Sequence, residues 1–161
     1  MIIDIEKQNK TAMKWILNYY ELKKAYIERS ANFSTLGATQ YDGMPHGTSV
    51  GNPCANKTMT LLDLEESRKW IMVIEKMEQT LSEKSRKYLE IRRDAASQIK
   101  SNKGIGRPGW VDYAQVKYID WFKYRYGKEI DAPTKQCMTG WMNKILDVTI
   151  RIAFNDKVLK I

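Results

Sequence analysis

Apolar positions recur along most of this chain at helical rather than strand spacing. Over residues 5–31, "IEKQNKTAMKWILNYYELKKAYIERSA", Met13, Ile16, Leu17, Tyr20 and Ile27 fall on one stripe with lysines and glutamates around the rest, which predicts a long amphipathic helix. From residue 32 to about residue 57 that period vanishes and Gly, Pro, Ser and Thr take over, predicting a loop of unusual length. Helix resumes near Met59, where Leu64, Ile71, Ile74 and Leu81 follow one another in heptad-like steps suited to packing against the first helix. Ser82, three residues ahead of Ser85, predicts a break before a basic helix that runs to about Lys100.

A second connector, "SNKGIGRPGW", occupies 101–110 and is the expected boundary between two modules. Its GxG fragment lacks the spacing and the preceding strand of a phosphate-binding loop, so it is expected to act as a hinge. The next helix, within "VDYAQVKYIDWFKYRYG", offers Val116, Ile119, Trp121 and Phe122 for burial and ends at Gly127. Asp131 ahead of Ala132 and Pro133 then predicts an N-cap and a first-turn proline for a final helix reaching about Phe154. The expected fold class is all-α: a helical hairpin over 1–100, with its long loop at 32–57, followed by a helix-turn-helix domain over 101–161.

Charge changes this picture more than composition does. The net charge of +8 is unevenly placed: residues 1–83 carry ten Lys/Arg against eleven Asp/Glu, whereas residues 84–161 carry seventeen against eight. A neutral half joined to a strongly positive one points to a polyanion-binding module, because phosphate neutralisation with counterion release drives nucleic-acid affinity. The plainer alternative is a basic surface kept for solubility. No apolar run approaches the ~18–20 residues that cross a bilayer, and "MIIDIEKQNK" lacks the order of a signal peptide, so a cytoplasmic protein without a membrane partner is expected. Cys54 and Cys137 belong to no paired-cysteine spacing and are read as reduced thiols.

The segment "VKYIDWFKYRYGKEIDAPTKQCMTGWMNKI" reads as helix, short turn, helix. A recognition helix needs polar residues near its tip and a bulky apolar face behind them. Cys137, Met138, Trp141, Met142 and Ile145 supply that face, with Ile130 as a plug in the turn. Thr134, Lys135, Gln136, Thr139 and Asn143 are then the candidate base readers, since Gln and Asn suit adenine and Lys suits guanine. Arg92, Arg93, Lys103, Arg107, Lys117, Lys123, Arg125 and Lys144 are the candidate phosphate contacts. The competing reading is an ordinary helical hairpin with polar ends. Gly140 costs the helix about 1 kcal/mol relative to alanine, which close approach of another helix or of DNA would justify. The rings Trp110, Tyr113, Tyr118, Trp121, Tyr124 and Tyr126 offer a stacking platform for single strands, but at helical spacing they are expected to be core.

The stretch "YDGMPHGTSVGNPCANK", 41–57, gathers Asp42, His46 and Cys54. A zinc site needs more ligands than this, and a Cys54–His46 nucleophile pair lacks an orienting group, so a connector is expected, with no metal, no cofactor and no enzymatic activity. The acids Asp112, Asp120, Glu129, Asp131 and Asp147 are scattered rather than clustered as a metal-dependent nuclease requires.

The order of a neutral helix, then "YDGMPHGTSVGNPCANKTMTLLDLEE", then a helix ending "LSEKSRKYLEIRR", then a helix-turn-helix resembles the ArpU and RinA type late-gene activators of phages of low-GC Gram-positive bacteria. Their C-terminal part is similar to the promoter-reading region of a sigma factor, and Asp42, Pro45, Gly47 and Pro53 loosely fit their linker pattern. The segment 95–112, with "GIGRPGW", is longer than the tight approach of those regulators. The resemblance implies a sequence-specific double-stranded DNA-binding transcriptional activator of phage or prophage genes, working in the bacterial host cell, with the hairpin serving self-association or RNA polymerase. The alternative is a helical adaptor or an oligomeric structural protein, including a phage packaging recognition subunit, with no transcriptional role.

Overall fold

The computed structural model describes residues 4–36, 53–101 and 109–159, and among them every regular element is a helix. These are α1 (Ile5–Leu17), α2 (Tyr19–Leu36), α3 (Pro53–Thr80), α4 (Glu83–Ser101), α5 (Trp110–Tyr126) and α6 (Lys135–Asn155). The chain is all-α, as its periodicity predicts.

The first long helix is interrupted. Asp4 caps α1, its side chain accepting from the Lys7 N–H at 3.0 Å, and the helix stops at Asn18, whose amide donates back to the Lys14 carbonyl at 3.1 Å. The break turns the predicted stripe aside. Ile16 is buried with Ala12, Trp15 and Tyr19, Met13 and Leu17 are partly covered, and Tyr20 and Ile27 face solvent. Helix reaches into both ends of the segment expected to be a loop: α2 continues to Leu36 and α3 starts at Pro53, a first-turn proline, and residues 37–52 lie outside the described residues. Asp42 and His46 lie outside the described residues, and Cys54 falls in the first turn of α3.

At the predicted break, the Ser82 hydroxyl accepts from the Ser85 N–H at 3.3 Å while Arg86 closes both Nε and Nη2 on the Leu81 carbonyl, at 3.2 and 3.0 Å. Gly127 ends α5 in the left-handed region, φ +64°, as expected of a helix C-cap. The N-cap of α6 is Thr134, not Asp131: its hydroxyl accepts from the Cys137 N–H at 3.1 Å, and Pro133 stands before the cap. At the far end Lys157 takes φ +57°, with the Val158 N–H bonded to the Ala153 carbonyl at 2.9 Å and its own N–H to Phe154 at 3.1 Å. This is a Schellman closure made without glycine.

Buried residues of all six helices, α2 contributing Tyr19, form one core cluster. Trp15 stacks on Trp70 at 6.3 Å, and Ile71, Val73, Ile74 and Met77 of α3 lie beneath them. α6 packs on α1 and α3 through Met138, Met142, Ile145, Thr149 and Ala153, while α5 packs chiefly on α4. Thus the C-terminal helices share a core with the hairpin helices across the 101–110 connector. Lys76 adds an ion pair to Asp156 at 2.6 Å.

Candidate nucleic-acid interface

Eight residues, 127–134, separate α5 from α6, against the roughly three to four of a helix-turn-helix turn. The two helices meet through rings rather than through close backbone packing. Tyr118 lies 5.1 Å from Trp141, and Gln115 Nε2 donates to the Pro133 carbonyl at 2.8 Å. Tyr118 is buried, Trp121 and Phe122 are half-buried around it, and Tyr124, 91 % exposed, stands in water. Ala114 and Tyr118 take the place predicted for Val116, which is exposed.

α6 divides cleanly by face. At 100° per residue, Met138, Met142, Ile145 and Thr149 point to the core, and Gln136, Gly140, Asn143, Asp147 and Arg151 lie opposite. Lys144 joins the outer set and Thr139 flanks it, while Lys135, at the first position of the helix, is exposed although its spacing sets it nearer the inward stripe. Cys137, expected to be buried, is exposed, because the Thr134 cap sets a register in which Met138 is the first inward residue. Thr134 and Thr139 both use their hydroxyls locally, the first as the cap and the second donating to the Lys135 carbonyl at 2.8 Å. An alanine methyl at Gly140 would meet nothing within 4 Å, so no neighbouring helix among the described residues requires a glycine there.

Three of the cations expected to hold phosphate, Arg93, Lys123 and Arg125, are paired with acids. Arg93 is 7 % exposed; its Nε donates to the Ile16 carbonyl at 2.7 Å and its Nη1 is paired with Glu78, so it braces the α1–α2 break and is removed from the set of surface contacts. Arg125 pairs with Glu83 at 2.7 Å, holding that carboxyl below its ordinary range, and Lys123 pairs with Glu129 at 2.6 Å. Lys117 sits 5.7 Å from the Tyr113 ring. Lys103 and Arg107 lie outside the described residues. By contrast Lys135, Lys144 and Arg151 of α6, and Lys128 before it, are exposed and form no ion pair among the described residues. Arg151 and Lys128 are the members of this set that sequence reasoning passed over; the signal for Arg151 was its seven-residue step from Lys144, close to two helical turns.

Beside this face, Arg92, Trp110, Thr139 and Asn143 come together with Met13 and Met142 around a pocket of about 210 Å³. The Arg92 guanidinium lies 4.0 Å from the Trp110 ring centre, and burial lowers its pKa from the ordinary value. Tyr88, also lining it, donates its hydroxyl to the Met138 carbonyl at 2.9 Å, and burial pushes its pKa up to about 12. Among the described residues no cluster of three or more His, Cys, Asp or Glu is placed to hold a metal ion, and no helix is long and apolar enough to cross a membrane.

Compared with known protein families, with curated proteins and with solved structures, the chain matches none.

Proposed function

We propose that this protein binds double-stranded DNA with the outer face of α6, as a regulator of transcription that performs no bond chemistry. The observation that carries the reading is the pair of exposed cations Lys144 and Arg151, without an ion pair among the described residues, on the outer face of one well-anchored helix that also presents Gln136 and carries the exposed Lys135 at its first position. A helix of this kind fits the major groove, where Gln reads adenine and Lys and Arg reach phosphate or guanine. Gly140 in the middle of that face, unneeded for internal packing, suits close approach of a DNA backbone. Activation of phage or prophage genes, and RNA polymerase as a partner, rest on the resemblance to the ArpU and RinA regulators.

Selection of bound fragments from a genomic pool at near-physiological salt tests the reading. Enrichment of one sequence upstream of a gene cluster is the expected result, and Gln136→Ala is expected to alter the preferred sequence. Equal recovery of all fragments would count against it. A second reading, a helical adaptor, draws on one observation: Ile27, Leu61 and Leu62 on α2 and α3 are about half-exposed, as on a protein-docking arm.

A further inference from the structure

We infer that the Arg92–Trp110 pocket is a binding site for a small organic anion, one carboxylate or phosphate group carried on a compact apolar body, beside the DNA-facing surface of α6 and bordering it at Asn143. Arg92 is the pivotal residue. It is half-buried, stacked on Trp110 at 4.0 Å, and has no hydrogen bond or ion pair to any described residue. A guanidinium offers five N–H donors in a planar fork that matches an oxyanion, and those of Arg92 are not taken by any described residue. Arg93, one position on, has both a carbonyl and a carboxylate, so proximity to the core does not by itself deprive an arginine of partners in this fold.

The lining specifies the rest of the ligand. Among the described residues no acidic side chain lines the pocket, so none of them repels an anion there. Met13, Leu17 and Met142 present apolar surface, and Tyr88 has committed its hydroxyl to Met138. At the rim, Asn143 has no bond to a described residue and offers both an amide donor and an acceptor; the Thr139 hydroxyl, donating to Lys135, keeps its lone pairs. A volume of about 210 Å³ is below the roughly 300–1,000 Å³ of drug-sized sites, which limits the body to a single ring or a short chain.

The test uses the full chain, phenyl phosphate as probe and phenol as its uncharged counterpart, read by the NMR signals of the Trp110 indole and the Asn143 side-chain amide. Phenyl phosphate is expected to shift both signals with a Kd of about 0.1–1 mM, and phenol to leave them in place. Arg92→Met, which keeps an apolar stem on Trp110, should weaken binding about tenfold or more, and the exposed change Asn143→Ala should weaken it several-fold. Unshifted signals, equal shifts from phenol, or undiminished affinity in both variants would overturn the inference. A DNA duplex separates the sources of the oxyanion: it should shift the Lys144 and Arg151 signals without displacing phenyl phosphate. Competitive displacement would make the pocket a DNA phosphate contact and overturn the small-ligand inference. Phenyl phosphate binding with no duplex binding would remove the DNA reading alone.

Discussion

Two pockets of about 210 Å³ each adjoin α1 and share Leu17 in their lining, and each is built around one of two consecutive arginines. In the first, Arg93 reaches Glu78 and the Ile16 carbonyl, and Glu21, Glu90 and Asp94 stand around it. In the second, Arg92 lies on Trp110 with no carboxylate among the described lining residues. One residue of helix rotation, 100°, separates a structural brace from a cation with its donors free. The same division runs through the described residues of the basic half. Arg93, Lys123 and Arg125 are matched with acids, whereas Lys135, Lys144 and Arg151 have no acid partner among the described residues. Positive charge therefore points to a partner only where the fold has left it unmatched.

The largest effect expected from breaking this contrast is at the brace. Arg93→Met leaves the Glu78 carboxylate without its cation and the Ile16 carbonyl without its donor, and should destabilise the fold by about 3 kcal/mol in urea unfolding. Arg92→Met, which strips no internal partner, should change stability by less than about 1 kcal/mol in the same measurement. Equal losses for the two would erase the distinction. Gly140→Ala comes next: with space for the methyl and a helical backbone, it should raise stability by about 1 kcal/mol, read as an increase in Tm, while weakening DNA binding if the backbone is approached there.

The smallest effect is electrostatic. Lys23 bonds Glu75 at 2.7 Å and the Tyr19 hydroxyl at 3.0 Å; Lys23, followed by Tyr19, lowers the Glu75 pKa, and Glu75, followed by Tyr19, raises that of Lys23. A lowered carboxylate pKa contributes stability above the ordinary value of about 4.3 that is lost as pH falls through the folded-state value. A raised lysine pKa contributes stability below about 10.4 that is lost as pH rises through the folded-state value. The cluster should thus act fully between these limits, by no more than about 1 kcal/mol because both groups are some 40 % exposed. Lys23→Met should flatten the corresponding part of a stability–pH profile.

The helical character of each segment was legible because the apolar period is local, and Ser82 and Gly127 marked their boundaries for chemical reasons visible in the sequence. The break at Asn18 was not, since the Ile16 carbonyl beside it is taken by Arg93, 77 residues on from Ile16. Nor was the end of α6, where a lysine rather than a glycine adopts the left-handed cap. The outer face of α6 was partly legible: Gln136 and Lys144 are where helical spacing puts them. What spacing alone did not give was the shift of Thr139 and Asn143 to the rim of a pocket shared with Arg92, because that depends on where α1 and α4 pack.

The most direct measurement is the salt dependence of binding to a DNA duplex for the wild type and for the combined Lys135→Gln, Lys144→Gln and Arg151→Gln variant. With three phosphate contacts removed, the slope of log Kobs against log salt should shrink by about two to three while the Tm stays unchanged. An unchanged slope with a properly folded variant would contradict the assignment of the α6 outer face to DNA.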